Sequence, residues 1–295
     1  MSDLPSPLEP GIESSQNDVL DIQHDPFPEE DQGTARRTPH LGHALLFLAL
    51  TAFIFLIFMV LVALLLKGKT QVGNLITVVS LGTEAATYVL TLVAAYWLFP
   101  LIWKRSFLGG IHWNGLVAKR NWARLVSAGV LLSVVAQFAE QLVTGPAKPE
   151  IEQFMKTPAG AWSVMLLGTL LAPLMEEIAF RGFLLPALAT AYDWLSLDRT
   201  PAGLQRWTTT TANSSPALIF AALFSSLLFA LIHAPQLQYA WGPVGLLFGV
   251  SLVLALVRVR THSTACSTLV HLTYNLTIFV AAFVATGGFR HLDRL

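Results

Sequence analysis

The sequence has few charged residues and almost no cysteine, and both shortages limit what the protein can be. Asp, Glu, Lys and Arg make up 12% of its 295 residues, against about 25% in ordinary soluble domains. Cys266 is the single cysteine, so no intrachain disulfide can form. No signal peptide is expected, because the first apolar run begins only after about forty polar residues. The hydrophobic content of 54% instead favours a membrane protein.

The charges that are present divide the chain into an acidic tail and a basic remainder. Residues 1–40 hold nine acidic side chains and two arginines, which gives this segment a net charge near −7. Because the whole chain is neutral, residues 41–295 carry about +7. The tail is rich in Pro, Ser and Asp and poor in aromatic residues, so we predict that it is disordered.

Long apolar runs predict an all-α fold, a polytopic membrane bundle of about seven (six to eight) helices. A bilayer core needs about 20 apolar residues in a helix, and residues 44–66 supply 23 without a charge. Six further spans are expected at about 85–103, 123–143, 161–190, 216–233, 242–257 and 264–286. Lysines and arginines number eleven on the side of the N-terminus and six on the other. This bias predicts an integral protein of the cytoplasmic membrane with its N-terminus in the cytosol.

Few ionisable side chains interrupt these spans, and most lie in the late helices. Such groups cost roughly 2.5–3.5 kcal/mol each on insertion scales, so they tend to face a bundle interior or a wet cavity. The late-helix polar residues are Glu176, Glu177 and Arg181 in the fourth span, His233 in the fifth, and His271 with Asn275 in the seventh. Glu177 and Arg181 share a helix face and can pair, whereas Glu176 is turned from Glu177 by about 100°.

Each of these groups has an ordinary structural explanation. Glu177 and Arg181 can be a structural ion pair, and a histidine at a helix end, such as His233, can be interfacial. The His271 and Asn275 side chains can join two helices by hydrogen bonds. The joint occurrence of the groups in three late spans favours chemistry instead. A carboxylate, two imidazoles and an amide can activate a water molecule and stabilise an oxyanion.

Three short motifs resemble those of a known family. The segment "EEIAFR" matches Glu-Glu-x-x-x-Arg, "FALIH" matches Phe-x-x-x-His, and "HLTYN" matches His-x-x-x-Asn. In this order, and on separate helices, they resemble the CAAX-processing and bacteriocin-processing (CPBP, or Abi) intramembrane endopeptidases, which include the CAAX prenyl endopeptidases. The resemblance covers roughly residues 160–280. It implies a catalytic membrane core at 160–286, preceded by transmembrane helices at 41–159 and followed by a short tail at 287–295.

The resemblance implies an endopeptidase that hydrolyses a peptide bond in a membrane-associated peptide or protein. The catalytic cavity would lie between the late helices and open to the cytosolic side. By motif position, Glu176 would be the general base, and His233 would help to hold the attacking water. His271 and Asn275 would stabilise the oxyanion of the tetrahedral intermediate.

Glu177, Arg181 and Phe229 would support this site, the first two by orienting it and the third by lining it. No cofactor is expected. Zinc is a lesser alternative, because Glu176, His233 and His271 could supply the three ligands of a His₂Glu site. However, the sequence contains no His-Glu-x-x-His motif. The expected partners are the lipid bilayer and a membrane-associated substrate, and no nucleic acid.

Two other function classes are open to a chain with these features. A non-catalytic membrane protein, such as an immunity or scaffold factor, could bind a peptide in the same cavity. A small transporter could use Glu140, in the third span, and the other intramembrane carboxylates as a proton relay. The absence of paired inverted halves with Gly- or Pro-broken spans argues against the transporter.

Straight helices would place the three catalytic side chains at different depths. Glu176 would lie at mid-membrane, His271 in the inner half and His233 in the outer half. One water molecule could then meet all three only if the helix boundaries were displaced by a turn or two, or if helices were offset or broken around a cavity. Of these explanations, we favour displaced boundaries.

Overall fold

The computed structural model describes residues 37–67, 73–143 and 154–292, and in these ranges the fold is all-helical. Seven helices are long and apolar enough to cross a membrane, which confirms the predicted fold class. They are α1 (Leu41–Leu66), α2 (Gly73–Trp103), α5 (Trp122–Glu140), α6 (Pro158–Leu195), α8 (Ser215–Ile232), α9 (Trp241–Thr261) and α10 (Thr264–Ala285). Three shorter helices connect them: α3 (Phe107–Gly110), α4 (Gly115–Arg120) and α7 (Pro201–Thr209).

The most hydrophobic helix, α1, packs least against the rest of the bundle. Only 6% of its span is buried inside the protein, and most of its large apolar side chains are exposed. One end is fixed by an aromatic cluster, in which Phe47 stacks on Phe183 of α6 with ring centroids 4.5 Å apart. Phe99 of α2 joins the same cluster, 4.7 Å from Phe183. The exposed remainder of α1 has the apolar surface that a lipid-facing helix requires.

Helix α6 is the longest span, at 38 residues, and it is not a regular α-helix. Leu167–Leu171 and Ile178–Leu184 form π-helical turns on either side of the α-helical segment Ala172–Glu177. Pro173 and Pro186 each follow a π-helical turn closely. Because proline has no N–H and clashes with the carbonyl four residues earlier, the local i→i−4 pattern cannot be kept. Single π-helical turns of this kind occur often at functional sites.

The start of α10 lies inside the bundle, where the segment between α3 and α4 caps it. The Thr264 N–H donates to the His112 carbonyl at 3.0 Å, and the Thr264 hydroxyl donates to the Ile111 carbonyl at 2.7 Å. Ser263 and Asn114 exchange two further hydrogen bonds, of 3.0 and 3.2 Å. These bonds satisfy backbone groups at the helix start that would otherwise be costly to bury.

The start of α8 is fixed at the C-terminal end of α6. The Asp193 carboxylate accepts hydrogen bonds from the Ser214 hydroxyl at 2.6 Å and from the Asn213 amide at 3.0 Å. Arg37 lies 3.8 Å from the same carboxylate and stacks over the Trp207 ring at 3.8 Å. Near the end of the tail at 1–40, which was predicted to be disordered, Arg37 therefore contacts the helical bundle. Residues 1–36 of this tail lie outside the described part of the chain.

Candidate active site

The two adjacent glutamates of α6 have different environments, as their spacing predicts. They end the α-helical segment between the two π-helical turns. The Glu176 side chain retains 21% of its exposure, whereas the Glu177 side chain is 0% exposed. Because α6 turns by about 100° per residue, one carboxylate reaches open space while the other points into the protein.

Glu177 is the centre of a buried polar network. Its Oε1 lies 2.9 Å from Arg181 Nη1 and 3.0 Å from His271 Nδ1. Arg181 Nη2 also donates to the carbonyl and to the hydroxyl of Ser251 in α9, at 2.8 and 2.7 Å. The predicted pairing of Glu177 with Arg181 is therefore present, and it joins α6 to α9 and α10. Burial of both charges requires such pairing and hydrogen bonding.

Glu176 lies between two imidazole rings. Its Oε1 is 4.0 Å from His233 Nε2, and its Oε2 is 3.8 Å from His271 Nε2. The other ring nitrogen of each histidine is already occupied. His233 Nδ1 is 2.7 Å from the Phe229 carbonyl, and His271 Nδ1 faces Glu177. Both Nδ1 atoms must donate to oxygen acceptors, so in the neutral rings both Nε2 lone pairs point toward Glu176.

Phe229 of α8 is buried beside the polar groups of the site. Its ring centroid lies 4.6 Å from that of His233 and 6.1 Å from that of His271. The Arg181 guanidinium carbon is 5.1 Å from the same ring centroid, within the range of a cation–π contact. The ring therefore limits the orientations of three functional side chains at once.

Asn275 takes a different position from the other predicted residues. It lies one helical turn beyond His271, and its Nδ2 donates to the Gly168 carbonyl at 2.7 Å. Gly168 belongs to the first π-helical turn of α6. Among the described residues, no hydrogen bond joins Asn275 to Glu176, His233 or His271. This amide therefore joins α10 to α6 and keeps one N–H that the Gly168 carbonyl does not use.

The histidines meet Glu176 because the helices are staggered. The predicted boundaries agree with the observed helices within one residue at Ser215, Ile232 and Thr264. Helix α6, which holds Glu176, instead extends about five residues beyond its predicted end, to Leu195, and aligns there with the start of α8. Helix α10 begins inside the bundle, so His271 reaches the glutamates only seven residues after Thr264.

Glu140 does not belong to this centre. It is the last residue of α5, and its side chain is exposed. The carboxylates beside the two histidines are those of Glu176 and Glu177.

The site does not fit a zinc ion as its residues are placed. Ligand atoms at about 2.0–2.2 Å from a tetrahedral zinc lie about 3.3–3.5 Å from one another. The Glu176 oxygens lie 4.0 and 3.8 Å from the two Nε2 atoms. Across the described ranges, no group of three or more His, Cys, Asp or Glu side chains is arranged to hold a metal ion.

A cavity of about 610 Å³, which we call the α1–α2 cavity, lies beside this centre. The α1 side supplies mainly apolar side chains, including Leu48, Phe55 and Met59. The α2 side supplies polar ones, among them Glu84 and Tyr88. The cavity offers an apolar ligand a position next to polar groups, which is the usual character of a binding site.

Seven helices long and apolar enough to span a bilayer indicate an integral membrane protein, and a carboxylate–imidazole centre lies between the late helices. Residues 158–277 match the family described as type II CAAX prenyl endopeptidase Rce1-like. The match covers the region that holds the three motifs, and it supports the resemblance to CAAX-type intramembrane proteases that the motifs predicted. No match was found among curated proteins or among solved structures.

The matched region contains all three motifs, and the motifs omit two residues that complete the described site, Ser251 and Gly168. Ser251 lies within the match but in none of the motifs, and α2 lies before it entirely. Ser251 was not predicted, because a serine in an apolar helix gives no periodic signal. Gly168 was also not predicted, because it contributes its backbone carbonyl to the contact with Asn275. Every residue has a backbone carbonyl, so the sequence does not mark this one.

Proposed function

We propose that this protein is an intramembrane endopeptidase in which Glu176 activates the water that attacks a peptide bond. The observation that carries the proposal is the position of the Glu176 carboxylate between two imidazole Nε2 atoms at 4.0 and 3.8 Å. A water molecule about 2.8 Å from both Glu176 Oε1 and His233 Nε2 fits between atoms at this separation. Glu176 is also the partly exposed carboxylate of the pair, so a substrate can reach it.

In the proposed reaction, Glu176 accepts a proton from the water as the water oxygen bonds to the carbonyl carbon. The carbonyl electron pair moves onto its oxygen, and the oxyanion accepts hydrogen bonds from Asn275 and from Nε2–H of His271, whose ring is then doubly protonated. Collapse of the intermediate breaks the carbon–nitrogen bond. Glu176 then returns the proton to the leaving amine, which restores the carboxylate.

Each supporting residue has a role that its contacts suggest. Glu177 fixes the His271 ring through Nδ1, so that Nε2 faces the reaction centre. Arg181 balances the charge of Glu177 and is itself held by Ser251. The Phe229 carbonyl fixes the ring of His233 in the same way. The free N–H of Asn275 would be the second donor to the oxyanion, while its other N–H remains on Gly168.

The reaction class is tested with the full-length protein in lipid nanodiscs and a panel of membrane-associated peptides. The panel includes a prenylated CAAX peptide, an unprenylated copy and a leader-peptide fusion, and mass spectrometry detects new termini. We expect the wild type to cleave at least one of these peptides. Neither His233→Ala nor His271→Ala should cleave that peptide. If binding or protection survives in His271→Ala and no cleavage occurs with any peptide, the protein is instead a non-catalytic immunity or scaffold factor.

A further inference from the structure

The α1–α2 cavity is lined by one acidic side chain, Glu84, which has no part in the proposed reaction. Glu84 of α2 is the only charged residue among the described residues that line the cavity. Its Oε1 accepts a hydrogen bond of 2.8 Å from the Tyr88 hydroxyl, one helical turn away. No described residue donates a second hydrogen bond to this carboxylate. A charged group at membrane depth is costly and marks a functional position more often than a packing one.

The α1–α2 cavity reaches the catalytic centre through two residues. Tyr88 lines the cavity and packs against the buried apolar cluster that contains Met175, the residue before Glu176 in α6. Gln236 also lines the cavity and follows His233 by three residues. A peptide segment that reaches Glu176 from this cavity would therefore pass the Glu84 carboxylate.

The charges around this path are unbalanced. Arg181 is paired with Glu177, and the His271 ring lies between Glu177 and Glu176. Glu84 and Glu176 are left as the carboxylates that a substrate would meet. In a partly desolvated cavity, an opposite charge on the substrate is attracted more strongly than in water, and a like charge is repelled.

We propose that Glu84, oriented by Tyr88, is a specificity-determining residue that favours substrates with a basic side chain close to the scissile bond. The aliphatic and aromatic side chains of α1 would bind the apolar residues of the same segment. An acidic side chain at the same position would be excluded. This inference rests on the endopeptidase function proposed above, and it names the chemical class of the substrate.

The test compares reporter peptides that differ at a single position. Each of the three positions on either side of the scissile bond carries Lys, Gln or Glu in turn, and kcat/KM is measured with the full-length protein in nanodiscs. At one position, we expect the wild type to prefer Lys over Gln by about tenfold, and Gln over Glu by a similar factor. In Glu84→Gln, which can still accept the Tyr88 hydrogen bond, the Lys-to-Gln ratio should fall to about one.

Two further variants separate specificity from damage to the fold. Tyr88→Phe keeps the ring and removes the hydroxyl that orients Glu84, so its Lys-to-Gln ratio should lie between those of the wild type and Glu84→Gln. Glu140→Gln removes an exposed carboxylate outside the cavity and should keep the wild-type ratio. A ratio that is the same in the wild type and Glu84→Gln, with both proteins folded by thermal unfolding, would overturn the proposal.

A binding measurement separates this proposal from the proposed chemistry. Fluorescent Lys, Gln and Glu peptides are titrated into the Glu176→Gln protein, with and without Glu84→Gln. Tighter binding of the Lys peptide that disappears with Glu84→Gln supports the specificity role, even if the wild type cleaves none of the peptides. Equal binding of all three peptides contradicts the specificity role, even if the wild type cleaves them.

Discussion

The His271 ring lies 3.0 Å from Glu177 through Nδ1, and its Nε2 lies 3.8 Å from Glu176. A single imidazole therefore touches the buried and the accessible glutamate of the same motif. The first contact fixes the ring, and the second leaves a nitrogen at the reaction centre. This arrangement assigns different tasks to two residues that are chemically identical and adjacent in sequence.

Loss of the Arg181 charge should destabilise the protein strongly. Arg181→Ala leaves Glu177 charged, buried and without its ion-pair partner, which costs about 3–5 kcal/mol in comparable cases. Arg181→Lys keeps the charge but cannot bind Glu177 and both Ser251 oxygens with one planar group. We expect unfolding in detergent to show a large loss of stability for the alanine variant and a smaller one for the lysine variant. An unchanged unfolding midpoint in Arg181→Ala would show that Glu177 is not buried as a charge.

Replacement of Asn275 should affect stability and rate together. Asn275→Ala removes the bond to the Gly168 carbonyl, which should cost at most about 1–3 kcal/mol because the acceptor left unsatisfied is only partly buried. It also removes the proposed oxyanion donor, and loss of one such donor lowers kcat by about 10²–10³. A comparison of kcat with KM separates the two effects, because the oxyanion role predicts a loss in kcat alone. A folded Asn275→Ala protein with normal kcat would restrict this residue to helix packing.

The motif residues and the seven spans could be predicted from the sequence because their signals are local. The Glu177–Arg181 pair follows from i,i+4 spacing, and each apolar run is long enough to span a bilayer. The contacts of Asn275 with Gly168 and of Arg181 with Ser251 could not be predicted, because they depend on the stagger of helices far apart in sequence. The π-helical turns of α6 depend on the same packing as well as on Pro173 and Pro186.

Chelation of metal ions should leave proteolysis intact. The Glu176 oxygens and the histidine nitrogens are too far apart for common zinc coordination, and the proposed reaction uses a carboxylate as the base. We expect that dialysis against a chelator changes kcat/KM by less than about twofold, whereas a zinc protease would lose activity. Elemental analysis of the purified protein provides an independent check. Activity that falls on chelation and returns with added zinc would contradict a metal-independent mechanism.

The predicted orientation can be tested by labelling single cysteines. The native Cys266 is fully buried, so an impermeant maleimide should report only on introduced thiols. Gln205 of α7 and Arg290 after α10 are exposed. The predicted topology places them on opposite sides of the membrane. With a cytosolic N-terminus, Arg290→Cys should be labelled in intact cells and Gln205→Cys only after permeabilisation. The reverse pattern would contradict the orientation predicted from the lysine and arginine bias.

The most direct test of the proposed chemistry is the rate of peptide cleavage by Glu176→Gln. Glutamine preserves the size and polarity of the side chain but cannot accept a proton from water at neutral pH. Glu140→Gln is the matched control, because it removes an exposed carboxylate of the same type at the end of α5. We predict that Glu176→Gln inserts and folds like the wild type and loses at least about 10²–10⁴ in kcat, the usual contribution of a general base. Full cleavage activity in a folded Glu176→Gln protein would contradict the assignment of Glu176 as the catalytic base.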